Sequence, residues 1–307
     1  MADTKHTEIL IIGSGPAGWT AAVYGARAMR DVTVVTGMQP GGQLTITTEV
    51  ENYPGFTEIQ GPDLMVKMQE HAEAMGANVI NDHIAEVDFS SRPFKAVGES
   101  GTTYTADSVV ISTGAQAKWL GIPSEEKYKG FGVSACATCD GFFFRDQHVA
   151  VVGGGDSAVE EATFLTRFAS KVTLVHRRDE LRASKAMQDR AMANEKLEFA
   201  WNSTVEDILG ESSVEGLLLK DTKTGETRTL PATGVFMAIG HVPNTDIFKG
   251  QIELDDSGYI VPKGTTGTNI EGVFTAGDVA DTRYKQAITA AGTGCSAALD
   301  VEKFLED

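Results

Sequence analysis

Two cysteines separated by two residues, Cys136-Ala137-Thr138-Cys139, stand shortly before a strand-like run, Val149 to Val152, that opens into Gly153-Gly154-Gly155-Asp156-Ser157-Ala158. Paired thiols at this spacing often have a lowered pKa, about 7 in some redox motifs, which makes a thiolate available at cellular pH. The pair is open to three readings: a redox dithiol, half of a zinc site, or coincidence. Zinc needs two further ligands. The remaining cysteine is Cys295, with no histidine near it at ligand spacing, so no metal site is expected. A dithiol beside a dinucleotide turn suggests electrons passing from a nicotinamide, through a second cofactor, to a disulfide. Asp140 adjoins the pair and is suited to carry the proton a departing thiolate needs, or simply to cap a turn.

The elements that must position these residues occur twice. The first is an apolar run, Ile9 to Ile12, followed by Gly13-Ser14-Gly15-Pro16-Ala17-Gly18, a small-residue helix from Trp19 to Met29, and a second strand, Val32 to Thr36. The second is the strand Val149 to Val152, the turn Gly153 to Ala158, a helix from Val159 to Phe168, and a strand from Val172 to His176. Both copies keep the same interval from first glycine to second-strand end, 13 to 36 and 153 to 176. One such glycine pattern is weak evidence; two in register, each between strand and helix, predict two Rossmann-like nucleotide folds of α/β class. The first glycine makes the turn, the second lets backbone approach pyrophosphate, and the third position must be small, where Gly18 and Ala158 both serve. The pyrophosphate then lies on the helix N-terminus.

Each copy also closes on an apolar strand ending in glycine: Val109 to Gly114, through Thr113, and Val235 to Gly240. The stretches after them, 115–123 and 241–244, read as linkers. One domain is therefore expected to be inserted into the other: residues 119–246 inside a domain built from 1–118 and 247–307. The 61 residues at the C-terminal end are few for an independent core.

At the end of the second strand, an NAD site usually places an acid for the ribose hydroxyl. Here stand His176, Arg177 and Arg178, with Arg182 a turn further on. Guanidinium forks bind a 2′-phosphate that a carboxylate would repel, so NADPH is expected. The first copy shows no acid there; it continues Thr36-Gly37-Met38-Gln39-Pro40-Gly41-Gly42-Gln43. Further on come Gly277-Asp278 and then Gln286-Ala287-Ile288-Thr289, the start of a helix made mostly of small residues. Such a helix can lie against a flat flavin ring with its N-terminal dipole toward it, or can simply pack tightly in the fold.

Composition sets the remaining bounds. The chain has 307 residues, 41% hydrophobic and 22% charged, as an ordinary globular protein does. A net charge of −17 argues against general nucleic-acid or anionic-membrane binding. The start has no basic segment followed by an apolar one, and no run approaches the roughly 18 apolar residues of a spanning helix. Three cysteines make a poor disulfide framework, so a cytoplasmic location is expected. Cys295, within the small-residue helix, is expected to be a buried packing thiol.

With these residues in view, the chain resembles the low-molecular-weight, bacterial-type thioredoxin reductases nearly end to end. The resemblance is carried by Gly13 to Gly18, Gly41-Gly42-Gln43-Leu44, Glu49 to Gly55, Ser134 to Gly141, Gly153 to Gly155, His176 to Arg178, Ala276 to Asp278 and Gln286 to Thr289. It implies FAD in the split domain, NADPH in the inserted one, a homodimer, and thioredoxin as the protein substrate. FAD contacts carry over to Ser14, Ala17, Thr36 to Gln43, Asn52, Asp278 and Gln286 to Thr289. NADPH contacts carry over to Ser157, His176, Arg177, Arg178 and Arg182. The resemblance assigns Cys139 to the flavin side and Cys136 to attack on thioredoxin, and implies that the inserted domain rotates about its linkers. Lys285 and Phe131 both stand where some members carry arginine; the latter makes the expected docking surface more apolar. Three other readings compete: a dithiol oxidase, which should lack the arginine cluster; a peroxide-removing reductase component, which should carry an extra N-terminal region; and a nucleotide sensor, which would not need the dithiol.

Overall fold

A computed structural model describes residues 4–47 and 49–306. The chain divides into two compact units, one formed by the chain up to Gln116 and again from Val242, the other by Ala117–His241. The two crossing segments, Ala115–Ala117 and His241–Pro243, pair as a two-stranded ribbon.

In the first unit the strands Asn78–Ile80, Val32–Val35, Thr4–Ile12, Thr103–Ile111 and Val273–Thr275 lie parallel in that order. Phe94–Gly98 and Ile84–Asp88 extend the sheet as an antiparallel hairpin, for seven strands in all. Ile9 to Ile12 and Val32 to Val35 are all buried, as strands covered on both faces must be. The first strand begins at Thr4, before the apolar run, because its polar start pairs with Thr103 to Ala106 at the sheet's exposed end.

The second unit repeats the plan. Val133–Ser134, Gly234–Ala238, His148–Gly153, Lys171–Val175 and Leu197–Ala200 form a five-stranded parallel sheet. A separate antiparallel sheet follows, Ser203–Leu209, Gly216–Asp221 and Thr227–Pro231. The expected helices run Pro16–Arg27 and Asp156–Leu165, each starting directly from the glycine turn.

The long helix Ala287–Glu306 shows what its small residues are for. A Cβ at Gly294 would meet the Ala17 carbonyl oxygen at 2.1 Å. At Gly294, close packing on the helix Pro16–Arg27 requires the small residue. Cys295 is half-buried, not buried as expected, and its thiol bonds the phenol of Tyr24.

Candidate functional site

In the first unit, sterics dictate the glycine turn. A Cβ on Gly13 would stand 2.4 Å from the Ser112 carbonyl oxygen, and one on Gly18 would stand 2.0 Å from that of Gly13. At Gly15 a Cβ would meet nothing, so the helix start faces open space. No side chain caps this helix and no acid occupies its first turn, which leaves its N–H groups for an anion. Ser14 is buried and committed to the protein: its hydroxyl donates to the Thr36 carbonyl at 2.7 Å and accepts from the Gly41 N–H at 3.0 Å. It thereby draws the Gly41-Gly42 loop over the turn. Thr36, where an acid would be usual, is buried, while Met38 is exposed and Gln39 Nε2 donates to the Gly42 carbonyl at 3.0 Å. Leu44 packs on the core beneath.

Asn52 Nδ2 lies 3.4 Å from Gln286 Oε1, and the Thr289 hydroxyl donates to the Gln286 carbonyl at 2.9 Å. The structure thus brings Asn52 to the start of the long helix. Ala287 follows on that helix and Ile288 is exposed on it. Thr113 and Gly114 are tied to Asn244, at the end of the second linker stretch. Asn244 Nδ2 donates to the Thr113 carbonyl (2.8 Å), and the Thr113 hydroxyl donates to the Asn244 carbonyl (2.7 Å).

Asp278 is the residue of this unit best suited to a ligand. Its Oδ1 is buried with no hydrogen-bond partner, a costly state unless a donor arrives. Burial, helped by the charge of Asp281, pushes its pKa up to about 6. A hydroxyl-bearing cofactor chain would satisfy that oxygen, so the residues fit FAD. The folded value lies above the unfolded one, so this carboxyl stabilises the fold fully below about pH 4 and loses that contribution as pH rises toward about 6. Apoprotein Tm is expected to fall across that interval, by an amount worth up to about 3 kcal/mol. In Asp278→Asn that slope should vanish, as thermal melts at a series of pH values will determine.

In the second unit, a Cβ on Gly153 would meet the Ala238 carbonyl oxygen at 2.4 Å, and one on Gly154 would enter the His176 ring at 2.2 Å. Gly155 is open, Ala158 is fully buried and Ser157 is exposed at the helix start. Asp156 turns its carboxylate to the Ser184 N–H at 2.8 Å, which holds its pKa below the usual range. His176 is 4% exposed, with Nδ1 2.8 Å from the Gly153 carbonyl and Nε2 3.0 Å from that of Glu180. Burial depresses its pKa, against the opposing pull of the two carbonyls, and the ring packs inward behind the basic segment. In front, Arg177, Arg178 and Arg182 are exposed around a recess of about 400 Å³. None of the three guanidinium groups has an ion-pair partner among the described residues, a donor set that fits a phosphate.

The same unit carries the dithiol. Cys136 and Cys139 form a disulfide, with Cα atoms 5.3 Å apart. Cys136 precedes the short helix Ala137–Asp140, and its Sγ accepts the Cys139 N–H at 3.2 Å and lies 3.4 Å from the Thr138 hydroxyl. Both contacts would stabilise a thiolate on Cys136. Ser134, at the start of the matching stretch Ser134 to Gly141, accepts the Cys136 N–H at 3.0 Å and bonds the Asp140 carboxyl. Burial raises the Asp140 pKa, so the group holds a proton more readily than a surface aspartate. Phe142 and Phe143 are exposed just beyond, and Phe131 is also exposed.

Comparison with known proteins agrees with this chemistry. The family model for pyridine nucleotide-disulphide oxidoreductases matches residues 7–294. Thioredoxin reductase of Rickettsia conorii is 57% identical, over 97% of this chain and 98% of that protein. Thioredoxin reductase of Vibrio cholerae is 56% identical over 100% of this chain and 99% of that protein. Among solved structures, thioredoxin reductase from Giardia duodenalis superposes with a TM-score of 0.95 at 44% identity, covering 99% of this chain and 100% of that one. The chain belongs to the pyridine nucleotide-disulphide oxidoreductase family and, within it, to the thioredoxin reductases.

Proposed function

We propose that this protein is an NADPH-dependent thioredoxin-disulfide reductase, with FAD held by the split unit and NADPH by the inserted one. The observation that carries this reading is a disulfide with an adjoining half-buried acid, in the same unit as an unpaired arginine recess. FAD held at the Gly15 helix start, Asn52 and Asp278 would supply the two-electron relay by which a hydride from NADPH reaches the disulfide. The Cys136–Cys139 bond then opens to two thiols, taking up two electrons and two protons. Cys136 attacks a thioredoxin sulfur as thiolate and forms a mixed disulfide. Cys139 then attacks Cys136 Sγ, which restores the enzyme disulfide and releases reduced thioredoxin. Asp140 delivers the proton to the departing thiolate and takes it back in the next cycle.

The exposed apolar residues Tyr24 and Leu299, on two helices of the split unit, support a homodimer. Sedimentation velocity checks that state, and a monomer at micromolar concentration would refute it. A cytoplasmic site of action is in keeping with the few cysteines and with the thioredoxin substrate; among the described residues no helix is long and apolar enough to cross a membrane. The reaction is tested by comparing NADPH oxidation with and without thioredoxin plus a chromogenic disulfide. Fast oxygen-dependent turnover without thioredoxin would favour a dithiol oxidase instead.

Asp140→Asn is expected to slow thioredoxin reduction on the order of 10²-fold, the usual worth of a positioned acid. Its raised pKa means that the acid is lost as pH rises, so the variant's pH–rate profile should lack one alkaline limb of the parent's. Unchanged turnover and profile would reduce Asp140 to a turn cap.

A further inference from the structure

A phosphate recess built on Arg177, Arg178 and Arg182 has a liability in its own sequence. Asp179 and Glu180 follow the first two arginines directly, and a carboxylate beside a bound 2′-phosphate repels it. Asp179 is dealt with from another element. The turn after the strand Gly216–Asp221 is fixed by Asp221, whose Oδ1 accepts the N–H groups of Lys223 (2.7 Å) and Thr224 (2.9 Å). Thr222 in that turn donates its hydroxyl to the Arg177 carbonyl (3.2 Å) and its N–H to the Asn202 carbonyl (2.7 Å). Asn202 in turn donates its N–H to the Arg178 carbonyl at 3.1 Å. It does so at φ 49°, a left-handed conformation that Asn tolerates. Lys223 is thereby delivered to Asp179, Nζ to Oδ2 at 2.5 Å, on the wall of the arginine recess.

We propose that Lys223 is a specificity-determining residue for the nicotinamide nucleotide, acting through Asp179. By masking that carboxylate it raises the positive charge that the recess presents to a 2′-phosphate, from one to two over the residues that line it. The proposal rests on NADPH binding at this recess. The pair is 61% and 65% exposed, so it adds little to stability. What it alters is the local potential, an effect that salt screens. The Lys223 ammonium also holds the Asp179 carboxyl below its usual range, as a lasting pair would.

Isothermal titration of the holoenzyme at low ionic strength, with 2′,5′-ADP and with 5′-AMP, tests this without turnover. Lys223→Met should weaken 2′,5′-ADP binding roughly three- to tenfold, the scale of one unmasked charge at several ångströms in a wet site. Binding of 5′-AMP should not change. Adding Asp179→Asn to Lys223→Met should restore most of the lost affinity, and flavin absorbance equal to the parent's will establish that both variants fold. An unchanged ratio in Lys223→Met, or a double variant that stays weak, overturns the proposal. A parent enzyme that binds 2′,5′-ADP no tighter than 5′-AMP overturns the placing of NADPH as well, a result distinct from the other two.

Discussion

Cys136→Ser and Cys139→Ser are each expected to reduce thioredoxin turnover below detection while FAD stays bound and reducible by NADPH. A serine oxygen cannot form the disulfide that receives the electron pair, so either replacement removes the same intermediate. The residues proposed to hold the flavin, Gly15, Asn52 and Asp278, belong to the other folding unit, so the substitution leaves the packing around them unchanged. The two variants should nevertheless differ. Cys136 Sγ has the Cys139 N–H and the Thr138 hydroxyl beside it, contacts that favour its thiolate and hence its role as nucleophile. Cys139→Ser keeps that nucleophile but loses the sulfur that resolves the product. It should accumulate a mixed disulfide with thioredoxin, seen as a band that reductant removes. Cys136→Ser should form none. Cys295→Ser, at the half-buried thiol against Tyr24, should turn over at nearly the parent rate. Loss of flavin from either CxxC variant, or full activity in one, would contradict these roles.

Much of the fold was legible because doubly covered parallel strands leave continuous apolar runs, and because steric demands leave glycines. Gly13 and Gly18 stand against backbone carbonyls with no room for a Cβ, which is why their spacing could be read at all. The polar start of the first strand was not legible: Thr4 to Thr7 are strand only through pairing with distant residues. The small-residue helix fits either a flavin ring or tight packing, and its tightest demand is Gly294 against Ala17. Small side chains record a close approach and not what approaches. Within the site, the cysteines and arginines announced themselves by type and spacing. Asn244, Thr222 and Lys223 did not, because their roles depend on which distant atoms the folded chain brings to them. His176 was grouped with the arginines by position, but its ring is turned inward onto two carbonyls.

Replacing Arg177 and Arg178 together by alanine should raise the KM for NADPH by tens-fold or more and leave that for NADH nearly unchanged. Charge-assisted hydrogen bonds to a phosphate are worth about 1.5–3 kcal/mol each, and exposure of these guanidinium groups places them toward the lower end. Two bonds at that end already exceed a hundredfold in binding, of which residual attraction from Arg182 should recover part. NADH has no 2′-phosphate, so it gains nothing from the recess and loses nothing with it. Both side chains are exposed, and the backbone that carries them is held through its own carbonyls by Thr222 and Asn202. Truncation therefore should not unravel the segment, and Tm should stay within a few degrees of the parent. The discriminating quantity is the ratio of kcat/KM for NADPH to that for NADH, measured at two salt concentrations because exposed charges are screened. In the parent that ratio should fall with salt; in the double variant it should be small and nearly salt-independent. If NADPH and NADH lose equally, the arginines support the fold and the 2′-phosphate is read elsewhere.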